Sequence, residues 1–166
     1  MKYKRIHIIG GSGAGKTSLA KAYSKFSGIP YTEIDDIFWS DVGSRLRWSD
    51  EERSSLLQST IGSDQWIVEG VFYKWLTPSF ENAEKIIVLN TSKWVRSYRI
   101  IKRAFNQLLS GPKSYRNTLS NHFELIVFNH SYEHIHYAPT LTMLEKFGDK
   151  VVICNSYKQA ESELNM

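Results

Sequence analysis

Short apolar runs alternate along the chain with longer stretches in which apolar residues recur at helical spacing. The short runs, which predict five strands, cover residues 5–9, 31–34, 66–68, 85–89 and 150–154. The longer stretches, which predict helices, cover residues 16–26, 49–61, 93–109, 120–133, 139–147 and 157–164. Short strands separated by helices predict a parallel sheet with helices on both faces. Ligands of such sheets bind beyond the carboxyl ends of the strands.

The loop after the first predicted strand reads GGSGAGKT at residues 10–17, which matches the pattern GxxxxGK[ST] at every position. Glycines let backbone N–H groups approach a polyphosphate closely, and the following helix N-terminus favours an anion. Lys16 is expected to reach the β- and γ-phosphates, and the Thr17 hydroxyl to hold Mg²⁺. The alternative is a glycine-rich turn that matches by chance. The motif therefore predicts ATP and Mg²⁺ as ligands, with the nucleotide bound by Gly10, Gly11, Ser12, Gly13, Ala14, Gly15, Lys16, Thr17 and Ser18.

Acidic residues follow two other predicted strands. Asp35 and Asp36 come after the second strand, and Glu69 comes after the third. The carboxyl ends of parallel strands meet at one edge, so these side chains are expected near the glycine loop. Asp35 is predicted to orient or deprotonate a phosphoryl acceptor. Asp35, Glu69 and Thr17 are predicted to hold Mg²⁺, partly through water. The alternative is that Asp35 and Asp36 only cap turns and that Glu69 is a surface carboxylate at a turn.

Basic residues concentrate in the long predicted helix and just after it. Arg96, Arg99 and Arg103 share one helix face, and Lys113 and Arg116 follow. Arginine forks suit the spreading negative charge of phosphoryl transfer. A charged helix face is often only solvated. The position of three arginines on one stripe favours a phosphate-binding role.

Two further groups each allow two interpretations. Aromatic residues near the ends of the second and third strands belong either to the core or to an acceptor pocket; they are Trp39, Trp48, Tyr73 and Trp75. A histidine group lies towards the carboxyl terminus, at His130, His134 and His136. A catalytic zinc site needs three protein ligands, and no cysteine accompanies these histidines, so metal binding is the less favoured interpretation.

Length and composition bound the remaining possibilities. The chain has 166 residues, which fits one domain over residues 1–166. Its apolar runs are shorter than the ~18 residues of a membrane helix, so a cytoplasmic protein without a membrane partner is expected. Cys154 is the single cysteine and is expected to be buried. The net charge of +4 fits phosphorylated ligands, and nucleic acid is possible but not favoured.

The motifs together resemble the adenylate-kinase-like branch of small P-loop kinases. Within it they are most similar to bacterial proteins called DNA topology modulation proteins or adenylate-kinase-related kinases. The resemblance lies in GGSGAGKT (10–17), IDDIFW (34–39), Arg47-Trp48, WIVEG (66–70), KIIVL (85–89) and RIIKR (99–103). It implies a three-layer α/β P-loop NTPase fold, with a five-stranded parallel sheet of adenylate-kinase type and a short lid at about residues 104–121.

The resemblance also implies roles for the arginines. Arg99 would pack on the adenine, Arg103 would contact phosphate and act in catalysis with Lys16 and Asp35, and Arg116 would serve as a lid cation. Adenylate kinases carry further arginines late in the lid and after it, whereas residues 117–147 contain none.

An ATP- and Mg²⁺-dependent kinase of a small molecule is therefore predicted, with a nucleotide or nucleoside as acceptor by analogy. The alternatives are an ATPase without an acceptor and a nucleotide-gated protein that binds nucleic acid through its basic face.

Overall fold

The fold is a central parallel sheet between two layers of helices. The computed structural model describes residues 3–41, 46–71, 74–110 and 119–166. In chain order the strands are β1 (Arg5–Gly10), β2 (Tyr31–Glu33), β3 (Trp39–Asp41), β4 (Leu46–Arg47), β5 (Trp66–Gly70), β6 (Lys85–Leu89) and β7 (Val151–Cys154). The α-helices are α1 (Lys16–Ser27), α2 (Ile34–Phe38), α3 (Asp50–Ile61), α4 (Thr77–Asn82), α5 (Lys93–Ser110), α6 (Leu119–Tyr132), α7 (Ala138–Leu144) and α8 (Tyr157–Leu164). A π-helical turn (Glu133–Tyr137) joins α6 to α7, and a 3-10 turn (Glu145–Lys150) joins α7 to β7.

Five of the strands form the sheet, in the spatial order β2-β5-β1-β6-β7, and all neighbours are parallel. Successive residues of β1 point to opposite faces. Ile6 and Ile8 pack with residues of α1 and α8 on one side. Ile9 packs with residues of α3, α4 and α7 on the other. Because both faces are covered, the central strands are mainly apolar rather than alternating between apolar and polar residues. The predicted fold class is confirmed.

Several boundaries differ from the prediction. β2 ends at Glu33, so Asp35 lies inside α2 and not directly after a strand. β5 continues to Gly70, which pairs with Ile9, so Glu69 is a strand residue. The antiparallel pair β3–β4 and the helix α4 were not predicted, because segments of two to six residues carry too little periodicity to be recognised.

Other boundaries agree closely. The S-x-x-E spacing of Ser49 and Glu52 predicts a capping box at the start of α3. The box is present: the Glu52 N–H donates to Ser49 Oγ (3.2 Å), and the Ser49 N–H donates to the Glu52 carboxylate (2.9 Å). Cys154 is buried, as expected. Within the described part of the chain, no helix combines the length and apolar character needed to cross a membrane.

A fully buried histidine lies in the middle of the central strand. His7 Nδ1 and Ser79 Oγ share a hydrogen bond of 2.8 Å, and the ring packs on Phe80 at 4.4 Å between centroids. His7 Nε2 is buried without a hydrogen-bond partner among the described residues. Burial lowers the pKa of His7 from 6.5 to about 3. The folded protein therefore keeps this ring neutral well below the pH at which the unfolded chain takes up a proton.

Stability is expected to fall with decreasing pH through this histidine. Between about pH 6 and 4 the unfolded state binds one more proton at His7 than the folded state, so the free energy of unfolding loses about 1.4 kcal/mol per pH unit from this group. The free energy of unfolding of the parent chain and of His7→Asn, measured by urea unfolding over that pH range, isolates the contribution of His7. The titration of the carboxylates is common to both proteins and cancels in the difference. Parallel stability–pH curves for the two proteins would show that His7 titrates normally when folded.

Candidate functional site

The glycine loop between β1 and α1 has the shape of an anion-binding turn. Gly13 and Gly15 adopt left-handed conformations, with φ of 77° and 104°. Gly15 is the N-cap of α1, which begins at Lys16, so the helix N-terminus opens onto the loop. The Ala14 N–H donates to the Gly11 carbonyl at 3.1 Å, which closes the turn. Helix N-termini of this kind present free N–H groups and the positive end of the helix dipole to an anion.

The back of the loop packs tightly on α5 and on the segment between β6 and α5. A Cβ at Gly11 would lie 2.6 Å from Arg96 Nη1, and one at Gly13 would lie 2.8 Å from the Arg96 carbonyl oxygen. The Thr91 hydroxyl donates to the Ala14 carbonyl at 3.1 Å. The glycines at 11 and 13 are therefore required by packing against the protein as well as by any ligand on the front of the loop.

Lys16, Thr17 and Glu69 form one nearly buried polar cluster beside the loop. Lys16 Nζ donates to the Gly11 carbonyl at 3.3 Å and lies 3.9 Å from Glu69 Oε2. The Thr17 hydroxyl donates to Glu69 Oε1. Glu69 is buried, which contradicts the alternative that it is a surface carboxylate at a turn. Hydroxyl and carboxylate oxygens are the ligands that Mg²⁺ prefers, so Thr17 and Glu69 fit that ion.

Asp35 lies at the same edge of the sheet but in a different environment. The strand that precedes its helix, β2, pairs with β5 so that Glu33 is opposite Glu69. Two residues later, Asp35 and Asp36 occupy the first turn of α2 with exposed side chains. Carboxylates at this place stabilise a helix N-terminus, so the capping interpretation is still open. The proposed roles of Asp35 towards acceptor and Mg²⁺ stay predictions.

The three arginines of α5 have different surroundings. Arg99 Nη1 donates to the carbonyls of Gly13 (3.2 Å) and Ala14 (3.1 Å), so it reaches the loop. Arg103 is exposed. Arg96 is only 2% exposed, and burial lowers the pKa of its guanidinium.

Contacts on the side away from the loop hold Arg96 in place. Its guanidinium carbon lies 4.8 Å from the centre of the Tyr132 ring, and Nη2 lies 3.3 Å from Glu133 Oε1. The sequence interpretation treated the three arginines as one phosphate-facing group. The structure instead makes Arg96 a support of the loop from behind.

An aromatic cluster with two arginines follows β2. Phe38 packs against Trp39 edge-on at 4.9 Å and against Trp75 at 6.3 Å. The guanidinium of Arg53 lies 4.9 Å from the Phe38 ring and 5.5 Å from the Trp75 ring. The guanidinium of Arg47 lies 5.1 Å from Phe38 and 5.3 Å from Trp39. Trp39 and Trp75 are half-buried, which fits both predicted interpretations, a place in the core and a place in the wall of an acceptor pocket.

Some of these residues were missed by sequence reasoning. Arg53 belongs to the first turns of α3, and its only sequence signal is its position after the capping box. Tyr157 begins α8, directly beyond the carboxyl end of β7. Its ring carbon Cδ2 would lie 3.7 Å from a Cβ at Gly15, and Arg99 Nη1 would lie 3.5 Å from the same atom. The general rule that ligands bind beyond strand ends could have identified Tyr157.

Other predicted site residues lie outside the described residues, namely Tyr73, Lys113, Arg116 and residues 111–118 of the predicted lid. Trp48 is described and half-buried, and its N–H donates to the Phe38 carbonyl at 3.3 Å.

The histidines of the α6 region make local contacts. His130 Nδ1 lies 3.2 Å from the Ile126 carbonyl, and the His136 ring stacks on Tyr132 at 6.1 Å. Among the described residues, no three His, Cys, Asp or Glu side chains are grouped closely enough to hold a metal ion.

Comparison with known proteins agrees with the architecture. The crystal structure of shikimate kinase from Bacteroides thetaiotaomicron superposes with a TM-score of 0.56 at 19% sequence identity, covering 98% of this chain and 94% of that one. This chain has a three-layer α/β P-loop NTPase fold. An uncharacterized protein of Bacillus subtilis (strain 168), YqaC, is 27% identical over 119 residues, which are 69% of this chain and 67% of that protein. No protein-family model matches.

Proposed function

We propose that the protein is an ATP- and Mg²⁺-dependent phosphotransferase that acts on a small molecule. One observation carries the proposal. The buried cluster of Lys16, Thr17 and Glu69 places one ammonium, one hydroxyl and one carboxylate beside the glycine loop. A general anion-binding turn needs only the backbone N–H groups. The added cation and oxygen pair are what a nucleoside triphosphate with its metal requires.

The nucleotide would occupy the front of the loop. Backbone N–H groups of residues 10–18 would bind the phosphates, and Lys16 would exchange its bond to the Gly11 carbonyl for the phosphate oxygens. Thr17 and Glu69 would hold Mg²⁺, which neutralises phosphate charge when bound. Arg99 and Tyr157 would flank the base, since both lie beside Gly15. Arg103, and Arg116 beyond the described residues, would complete the phosphate contacts.

The acceptor would bind between Asp35 and the aromatic cluster. Asp35 would orient the acceptor hydroxyl and take its proton, while the cluster of Phe38, Trp39 and Trp75 would form an apolar wall. Arg47 and Arg53 add two positive charges to that wall. An acceptor that carries a carboxylate or phosphate fits this combination better than a neutral sugar.

The remaining expectations belong to the same proposal. The chain would act as one domain over residues 1–166 with a short lid near 104–121, in the cytoplasm. The similarity of its motifs to DNA topology modulation proteins suggests a place within the adenylate-kinase-like branch. An activity on DNA topology does not follow from this site.

The deciding experiment measures ADP release from Mg·ATP with a panel of acceptors: nucleoside monophosphates, nucleosides, sugars and hydroxy acids. Stimulation by one anionic class supports the proposal and identifies the substrate class. Stimulation by sugars alone would contradict the role of Arg47 and Arg53. Slow hydrolysis that no acceptor accelerates would favour an ATPase without an acceptor. Tight, salt-dependent nucleic-acid binding would favour a nucleotide-gated protein that binds nucleic acid.

Arg99→Ala is expected to raise the KM for ATP about tenfold and to change kcat much less. The substitution removes a charge beside the base and phosphates, and hydrogen bonds to charged groups contribute about 1.5–3 kcal/mol. Initial rates over a range of ATP concentrations measure the effect. Lys102→Ala, which removes an exposed charge from the same helix, serves as the matched control. Equal KM values for both variants would place Arg99 outside the nucleotide site.

A further inference from the structure

Helix α5 exposes a continuous row of large apolar side chains to solvent. The row, called here the α5 stripe, consists of Trp94, Tyr98, Ile101, Phe105 and Leu109. Each of these side chains is between 54% and 75% exposed. Sequence reasoning described this helix by its basic residues and did not identify the apolar face.

The spacing of the α5 stripe is that of a helix-pairing seam. Its residues follow one another at intervals of four, three, four and four positions. Intervals of three and four positions keep all five side chains on one face of the helix, and the first four follow the alternation of a coiled-coil seam. The opposite side of α5 is already used, since Arg96 and Ile100 are buried against the rest of the protein. The stripe is therefore a second apolar face on one helix.

The size of the α5 stripe is that of a protein interface. A fully buried aromatic side chain covers about 150–250 Å². The three aromatic and two aliphatic side chains of the stripe are each more than half exposed, so together they present on the order of 600 Å² of apolar surface. The largest apolar patch of a typical monomer covers about 300–600 Å² and is often functional. A stable interface buries about 800 Å² on each partner. The stripe alone therefore supplies most of the area that one partner of such an interface buries.

The charges of α5 favour an apolar partner over an anionic one. The stripe itself carries no charge. Lys102 borders it, and Lys93 Nζ lies 5.5 Å from the centre of the Trp94 ring. The arginines of α5 lie on the other face: Arg96 contacts Glu133, Arg99 contacts the glycine loop, and Arg103 shares the face of Arg96. A helix that binds anionic lipid or nucleic acid needs free cations around its apolar face. A second copy of this chain presents the same uncharged row, so pairing with it needs no cations around the stripe.

We infer that the α5 stripe is the interface with a second copy of this chain, paired helix to helix about a twofold axis. In an isologous pair one self-complementary patch serves both partners, so a single uncharged row suffices. Pairing covers all five side chains in one step. The inference does not depend on the proposed catalytic activity, because the stripe lies on the face of α5 that does not carry Arg99 and Arg96.

Sedimentation velocity between about 1 and 200 µM tests the inference on the whole chain. The parent chain is expected to shift from monomer to dimer within this range. Phe105→Glu and Ile101→Glu are each expected to weaken the dimer at least a hundredfold, because a charge would be buried at the seam. Phe26→Glu is the matched control, since Phe26 is 56% exposed on α1, close to the 60% of Phe105. It is expected to leave association unchanged.

Three results would overturn the inference. The parent chain could remain monomeric at every concentration, the dimer could survive both α5 substitutions, or Phe26→Glu could weaken it equally. A monomer that sediments with vesicles of phosphatidylserine and phosphatidylcholine would assign the α5 stripe to a lipid surface instead. Circular dichroism melting of each variant separates loss of pairing from loss of folding, and two independent α5 substitutions guard against one that does not fold.

Discussion

Replacing Lys16 with alanine is expected to lower ATP turnover by about a thousandfold and to leave the chain folded. Lys16 supplies the positive charge nearest to the place where γ-phosphate charge develops. Removing one preorganised group of this type costs ~10²–10³ in rate, and a full charge costs at least as much. Its contacts in the protein are one 3.3 Å bond to a loop carbonyl and a 3.9 Å ion pair with Glu69. Neither belongs to the apolar core.

The measurement is ADP release under saturating ATP, with thermal melting as the test of folding. Lys25→Ala is the matched control, because Lys25 is an exposed lysine two turns further along the same helix. Lys16→Ala leaves the buried Glu69 carboxylate without its nearest cation, so a clear fall in melting temperature is expected, with the chain still folded at the assay temperature. Undiminished turnover in a folded Lys16→Ala protein would remove the basis of the proposed function.

Asp35→Asn is expected to lower kcat for transfer to the acceptor by about 10²–10⁴-fold and to change the KM for ATP less than twofold. An amide keeps the size and the helix-start position of the side chain but cannot take up a proton. The group would act on the acceptor hydroxyl, so its loss affects chemistry and not nucleotide binding. The experiment requires the acceptor class found by the panel.

Asp36→Asn offers a close comparison for this prediction. Both aspartates lie in the first turn of α2 with exposed side chains, so both can stabilise the helix N-terminus. A catalytic role predicts a large loss only for Asp35. Small, equal losses in both variants would show that the two carboxylates are helix-capping residues. A parallel loss of ATP affinity would place Asp35 in the nucleotide site.

The central layer was predictable because its signals are local. Four of the five strands of the sheet are short, mainly apolar runs, and the glycine loop identifies the first strand–helix junction by its sequence. Even the start of α3 followed from the Ser49 and Glu52 capping pair. In each case the residues that specify the structure are adjacent in the chain.

The site was less predictable because its contacts join distant segments. The strand-end rule predicts that Glu69 lies near Thr17, but it does not specify the direct bond between the two side chains, which are 52 residues apart in the chain. The placement of Arg53 on Phe38 depends on how α3 packs against α2. The separation of Arg96 from Arg99 depends on Tyr132 and Glu133, which lie on a different helix. Spacing on a helix fixes which side chains share a face, but the neighbouring elements decide what that face contacts.

The way the glycine loop rests on Arg96 and Thr91 has a consequence for the energetics of ligand binding. These contacts lie within the protein, so the loop has its shape whether or not a ligand occupies its front. Ordering a flexible backbone costs roughly 1–2 kcal/mol for each residue. A loop of eight residues that folded around its ligand would lose much of its binding free energy to that entropy. Here the entropy is lost when the chain folds, and the binding free energy of the phosphates remains for holding the nucleotide.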